Sequence, residues 1–576
     1  MAVKLTVVRR APDPAGVRAL AGLPPVLARA YAARGISERA QLGATLDRLL
    51  PVGSLDAVGA AVELLLVHRE RGGRILVIGD FDADGATSTA LIVRALRAWG
   101  FADVDFLVPN RFEFGYGLTP EIVALAARRS PALIVTVDNG ISSHAGVAAA
   151  RGLGIDVLVT DHHLAGRDLP DANVIVNPNV PGAGFGSRAL AGVGVAFYVM
   201  AALHRALAER GLLPAGAMPP AELLDLVALG TVADLVPLDA NNRVLVAQGL
   251  RRIRAGRCVP GVRALLEVGG RPLASLTAAD LGFAAGPRLN AAGRLDDMSI
   301  GIRCLLADAP AEALALASRL DQLNQERRAI EARMQEEALA AVRHLKDPEA
   351  SAGRHAGVCL YDPGWHQGVV GLVASRIKDR VRRPVVAFAD AGAGLLRGSA
   401  RSVPGVHVRD VLDALATHSP GLMLRFGGHA MAAGLTLEHA RLDEFARAFD
   451  LEVGRWSGGA SLADRIETDG ELAIEEISLA TAEALREGGP WGQAFPEPSF
   501  DGRFLIRRTR VVGERHLKMW VEPEGSGRTF DAIAFNYFQG RDPGAAPPAA
   551  QLVYRLDVNE YGGERRLQLL VDHVLA

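Results

Sequence analysis

Three aspartates alternate in GDFDADGATSTA (79–90): Asp80, Asp82 and Asp84 follow an apolar run, and Gly85 lets the chain turn into a helical pattern. The Lys that a phosphate-binding loop places before its Ser/Thr is missing, and bare carboxylates would repel a phosphate. They become useful once divalent cations lie between them and a substrate, because hard oxygen ligands suit magnesium or manganese. Alternating Asp can also do no more than make a turn and cap a helix. VDNG (137–140) and TDHH (160–163) deliver Asp138, Asp161, His162 and His163 by the same strand-then-turn device. Imidazole beside carboxylates is a good ligand for manganese and similar ions. Asp234, in GTVADLVPL (230–238), is a lone acid in an apolar stretch. A buried acid needs a partner and a cation supplies one; the plain alternative is a helix cap.

The elements that must position these groups are legible. ILVIGD (75–80), ALIVTVD (132–138) and IDVLVTD (155–161) are short, apolar and rich in β-branched residues, as buried parallel strands are. Helical stretches lie between them, ATSTALIVRALRAW (86–99) and PEIVALAARR (120–129), which predicts a doubly wound, mostly parallel α/β sheet over residues 71–305. Such sheets bind ligands at the carboxyl ends of their strands, where all three runs end in Asp. Residues 1–70 read as a short-helix segment packing on this core. GPRLNAAGR (286–294) reads as a Gly/Asn-rich loop. Residues 306–350 form a long helical connector, with Leu316, Leu320, Leu323, Ile330 and Met334 at helical spacing. A second α/β domain spans 351–460. Residues 461–576 alternate in strand fashion and read as a small barrel.

The 576 residues carry 63 Lys plus Arg against 65 Asp plus Glu, so any nucleic-acid contact must come from local patches. Cys258, Cys304 and Cys359 form no CxxC pair, which argues against a zinc ribbon or disulfide framework and fits a reducing cytoplasm. No signal-like N-terminus and no long apolar run is present, so a soluble protein without a membrane partner is expected. In HLKMWVE (516–522), Lys518 and Trp520 share a face that suits a single-strand platform, or simply the solvated side of a barrel strand.

As an ordered set, DFDADG, VDNG, DHH and GTVADLVPL resemble the motifs of the DHH phosphoesterases. The match is closest to the RecJ single-strand-specific exonucleases, and GYGL, GPRLNAAGR, GWHQGVVGLVASRI, RGSARS and GGHAMAAG follow in the expected order. The resemblance implies a DHH domain, a DHH-associated α/β domain and a C-terminal OB-like barrel. It implies a metal-dependent enzyme that degrades single-stranded DNA from its 5′ end to mononucleotides in repair and recombination. Two divalent cations, Mn2+ or Mg2+, would be held by Asp82, Asp84, Asp138, His162 and Asp234. Asp80, Asp161 and His163 would support them, while Arg288 and Asn290 would neutralise phosphoryl charge, unless they only serve a surface ion pair and a turn. Arg111, Ser375 and Arg376 match positions that hold the 5′ phosphate, and Arg suits this because its planar fork pairs with phosphate oxygens; without the resemblance, Ser375 and Arg376 read as a solvated helix face in a run with Lys378, Arg380, Arg382 and Arg383. Tyr116, Arg401 and His429 are further substrate candidates, the last at an expected helix start in GGHAMAAG, unless its glycines serve close packing instead. A family His that accompanies pyrophosphatase activity is replaced by Ile78, and a common Tyr by Phe81. The resemblance also implies a cytoplasmic bacterial monomer cooperating with single-strand-binding protein and a helicase. Two alternatives are a phosphodiesterase for short oligonucleotides or cyclic dinucleotides, and a non-catalytic single-strand-binding relative. The barrel argues against the first and the complete ligand set against the second.

Overall fold

The computed structural model describes residues 5–110, 114, 117–344, 356–457, 465–513, 515–538, 547–561 and 564–575. The chain divides into two compact units. One comprises Val7–Ala292, Asp297–Asp321 and Arg465–Ala576; the other comprises Gln322–Asp464 with Met1–Thr6 and Gly293–Asp296.

In the larger unit, five parallel strands lie in the order Val104–Leu107, Ile75–Gly79, Leu133–Val137, Asp156–Thr160, Val174–Val176. The runs lack apolar/polar alternation because Ile75–Gly79 and Leu133–Val137 are buried on both faces. Leu76, Ile78, Ile134, Val157 and Val159 pack on one side against Ile122, Val123, Val147 and Ala150 of the helices Pro120–Ala127 and His144–Gly152. Each such side chain contributes roughly 1.5–3 kcal/mol on burial. The helix Ala83–Ala98 follows the strand Ile75–Gly79 under an Asp82 cap, whose Oδ1 accepts from the Gly85 N–H at 3.0 Å. Gly85 is required there, since a Cβ would lie 2.6 Å from the Asp80 backbone.

The same unit holds a closed barrel of Phe500–Val512, His516–Pro523, Phe530–Ala534, Glu564–Leu575 and Ala549–Tyr561, in that ring order. Leu517, Met519 and Val521 fill its interior. Strand Arg465–Thr468 pairs instead with Thr6–Arg9, so the barrel proper starts at Phe500. Arg34 and Asp469 tie the N-terminal segment to this region through a buried two-point ion pair at 2.6 and 2.9 Å.

The smaller unit has a five-stranded sheet, ordered Arg425–Gly428, Ala432–Glu438, Leu395–Arg401, Val385–Gly392, Val358–Tyr361, with only the last pair parallel. Val386 and Phe388 face the helices Val408–His418 and Leu442–Ser457. Val385, Ala387 and Ala389 face the helix Val370–Val381 and the C-terminal half of the connector. The connector is a single 35-residue helix, Pro310–His344. No single helix among the described residues is long and apolar enough to cross a membrane.

Two local expectations change. GPRLNAAGR is not a loop: Gly286–Leu295 is an α-helix, entered through a π turn at Leu281–Ala285. Burial of Leu289, Ala291 and Ala292 overrides the poor helix propensity of its glycines, and the wide turn accommodates Pro287, which has no N–H to donate. The overlooked start signal is the Thr277/Asp280 capping box. GGHAMAAG is a hairpin rather than a helix start: Arg425–Gly428 and Ala432–Glu438 pair, and the His429 N–H donates to the Ala432 carbonyl at 2.7 Å. Its small residues let the strands close, because a Cβ at Gly428 would fall 2.4 Å from Ala432.

Asp225, near the start of the helix Leu224–Ala233, is fully buried; its Oδ2 accepts the Val259 N–H at 2.7 Å. Burial lifts its carboxyl pKa to about 6. The folded state therefore holds the proton more tightly than the unfolded chain, and stability falls as pH rises from about 4 to about 6. Asp225→Asn is expected to be more stable than wild type by roughly 1.5–3 kcal/mol above pH 7 and by little near pH 4. Melting curves across pH test this; parallel curves for the two proteins would contradict it.

Candidate metal centre

Strand ends and turns bring the aspartates and histidines to one edge of the parallel sheet. His162 Nε2 lies 3.0 Å from Asp138 Oδ1, 3.5 Å from Asp234 Oδ2 and 4.0 Å from Asp84 Oδ2. Donor atoms fall into three adjoining sets, each within 4.8 Å: Asp80, Asp82 and Asp138; Asp138, His162 and His163; and Asp84, His162 and Asp234. Asp138 belongs to two sets and joins them. It sits at the end of Leu133–Val137 with φ at 59°, a left-handed conformation that is costly for a non-glycine residue and recurs at functional sites.

The electrostatics are those of a site with too little positive charge for its carboxylates. Burial, then the neighbouring carboxylates Asp234 and Asp82, hold the Asp84 pKa well above the usual range; burial, then Asp84 and Asp82, do the same to Asp138. Asp234 is pushed up to about 7, by burial first and Asp82 next. Its Oδ2 is buried with no hydrogen bond among the described residues. So many desolvated carboxylates cannot ionise together without cations among them, and an oxygen-rich set with one imidazole fits manganese or magnesium.

Supporting contacts orient the histidines. Buried Asp161 accepts from the N–H groups of Ile141, His162 and His163 and lies 2.8 Å from His163 Nδ1. Burial alone would lower the His163 pKa, but the hydrogen bond and charge of Asp161 outweigh it and raise it to about 9. Burial would raise Asp161, yet His163 holds it below its usual value. Asn290, on the unexpected helix, accepts the Ala83 N–H at 2.8 Å and so braces the DFDADG turn. Arg288 is buried and committed: it donates to the Ala284 and Val268 carbonyls and pairs with Asp321 at 2.7 Å.

Some contributors escaped the sequence reading. Asp84 accepts the N–H groups of Gly192 and Val193 at 2.6 and 3.0 Å, so it also caps the helix Gly192–Glu209. Asn177 and Asn179 hold the His163 and His162 carbonyls at 2.9 and 2.6 Å. Their signal was the NPN sequence after an apolar run.

Family models for the DHH family N-terminal domain, the DHHA1 domain and the RecJ OB domain match residues 74–231, 355–454 and 468–573. The single-stranded-DNA-specific exonuclease RecJ of Dickeya dadantii is 57% identical over 558 residues, 96% of each chain. The chain belongs to the RecJ family. Two crystal structures of RecJ from Thermus thermophilus, in complex with Mn2+ and Mg2+, superpose with TM-scores of 0.81 and 0.76 at 32% and 30% identity. Both cover 100% of this chain, and 80% and 78% of those chains.

In this RecJ-family chain the remaining candidates fall elsewhere. Arg111 and Tyr116 lie outside the described residues. Ser375 and Arg376 stand on the helix Val370–Val381, Arg401 ends the strand Leu395–Arg401, and exposed His429 occupies the hairpin turn. On the barrel, Lys518 pairs with Asp531 at 3.0 Å, and the Arg508 guanidinium lies 4.8 Å from the Trp520 ring centre. That tryptophan is already partnered by a cation on this face.

Proposed function

We propose that this chain, a metal-dependent exonuclease of single-stranded DNA, removes 5′-mononucleotides in the 5′→3′ direction through two divalent cations. The observation that carries the reading is the run of three donor sets, the first two sharing Asp138 and the last two sharing His162. In this assignment Asp82, Asp84, Asp138, His162 and Asp234 would hold the cations, Asp138 serving both donor sets to which it belongs. When bound, the cations lower the pKa of an attacking water and stabilise both the entering and leaving oxygens. Asp161 orients the His163 ring and raises its pKa, which favours a proton on the other ring nitrogen for a phosphoryl oxygen. Asp80 supports the cage, Asn290 braces the ligand turn, and Arg288 anchors the helix that carries Asn290.

Arg111, Ser375 and Arg376 are assigned to the 5′-terminal phosphate. Tyr116, Arg401, His429, Lys518 and Trp520 are assigned to the strand, Trp520 together with Arg508. The domains are assigned as 1–70, 71–305, 306–350, 351–460 and 461–576. A cytoplasmic bacterial monomer, working beside single-strand-binding protein and a helicase, completes the reading. With manganese, purified protein is expected to shorten a 3′-labelled single strand progressively, release label from a 5′-labelled one as mononucleotide, and spare blunt duplex; chelation should stop all of it. Activity confined to dinucleotides, or release from the 3′ end, would refute it. Arg376→Ala is expected to lower the preference for a 5′-phosphorylated over a 5′-hydroxyl strand by about tenfold or more, since a charge-assisted pair contributes roughly 1.5–3 kcal/mol.

A further inference from the structure

Arg376 projects from the helix Val370–Val381 with most of its side chain exposed, yet its Nε is tied down. That nitrogen donates to Glu331 Oε1 at 3.1 Å. Glu331 lies on the connector helix, only 8% exposed. A lone carboxylate there would be costly to bury and would weaken anion binding at Arg376. Arg327, one turn earlier, offsets both effects by pairing its Nη1 with Glu331 Oε2. Asn324 Oδ1 in turn accepts from Arg327 Nε and Nη2 at 3.3 and 3.1 Å. Asn324 is fully buried, so this chain of contacts runs from a buried side chain to an exposed one.

The side of Arg376 that is held matters. A guanidinium can meet a phosphate through its Nη pair, end on, or through Nε and one Nη, side on. Glu331 occupies Nε, and among the described residues the guanidinium makes no other hydrogen bond. The end-on Nη fork is left facing outward. From this we infer that Glu331 is a positioning residue that presents Arg376 end on to the 5′-terminal phosphate, with Arg327 keeping the local charge positive. The inference rests on the assignment of Arg376 to that phosphate. An arginine already held in its binding orientation loses less side-chain freedom when the phosphate arrives, and an immobilised side chain of this kind changes affinity by roughly 2- to 10-fold.

The test compares kcat/KM on 5′-phosphorylated and 5′-hydroxyl single strands, because general damage to the fold moves both substrates together and leaves their ratio alone. Glu331→Ala is expected to lower the ratio by roughly 2- to 10-fold, mainly through KM of the phosphorylated strand. Glu331→Gln, which keeps an acceptor for Nε, should restore most of it. Where Glu331→Ala melts well below wild type, Glu331→Met fills the space without an acceptor and takes its place. In an Arg376→Ala background, Glu331→Ala should produce no further change in the ratio. A ratio unaffected by Glu331→Ala and Glu331→Met, or a further equal drop in the Arg376→Ala background, overturns the positioning role while leaving Arg376 in its own. A ratio untouched by Arg376→Ala refutes the phosphate assignment and the inference with it.

Discussion

Asp138→Asn is expected to cut kcat on single-stranded DNA by at least about 10³-fold, because cation-borne stabilisation of a phosphoryl transition state amounts to several kcal/mol. The substitution retains size and tolerates the left-handed backbone at this position, which alanine does less well. A lost rate therefore reports lost charge between the donor sets rather than a collapsed turn. In the absence of cations the same variant should melt higher than wild type. Asp138 is buried beside Asp84, Asp82, Asp234 and Asp80, and neutralising it relieves burial and repulsion together. Single-turnover digestion and melting with and without manganese measure both effects. A variant that keeps its rate within tenfold would remove Asp138 from the proposed bridging role.

Asp469→Ala is expected to cost about 3–5 kcal/mol, the range for leaving a buried ion stranded. Arg34 and Asp469 are 2% and 3% exposed. Arg34 also donates to the Ala30 and Pro496 carbonyls, and Asp469 accepts the Ser499 N–H at 3.0 Å. Removing the carboxylate leaves an arginine that cannot lose its proton and has no route to water. The widely exposed pair Arg503 and Glu524, 3.7 Å apart, is the internal control; truncating either should change stability little. Chemical denaturation of both variants gives the comparison. A cost below about 1 kcal/mol for Asp469→Ala would mean that water reaches Arg34.

Much of the catalytic region was readable because its signals are local. Each metal-site residue except Asp234 follows a buried strand by one to five positions, and parallel strands aim such turns at a common edge. The barrel strands were readable for a similar reason, since alternation in HLKMWVE reports which residues fill the interior. GPRLNAAGR was misread because its glycines and asparagine imitate a loop, whereas the helix is held by buried apolar contacts outside the segment. For GGHAMAAG the helix start is overturned and the close-packing alternative holds; the two were hard to separate because glycines that relieve a close approach between strands look like those of an anion-binding turn.

By itself, then, the sequence determined the cation-binding chemistry, the doubly wound sheet beneath it and the strand content of the barrel. Periodicity, turn residues and ligand type all act within a few positions of each other. Tertiary structure alone decided how the charges are spent. Asp84 reaches across 108 positions to cap the helix at Gly192. Arg288 turns to Asp321 rather than outward, Lys518 to Asp531, and Arg376 to a glutamate 45 positions earlier. Whether a charged side chain meets water, substrate or an opposite charge depends on what the folded chain brings within about 4 Å of it. No spacing along the chain encodes that proximity.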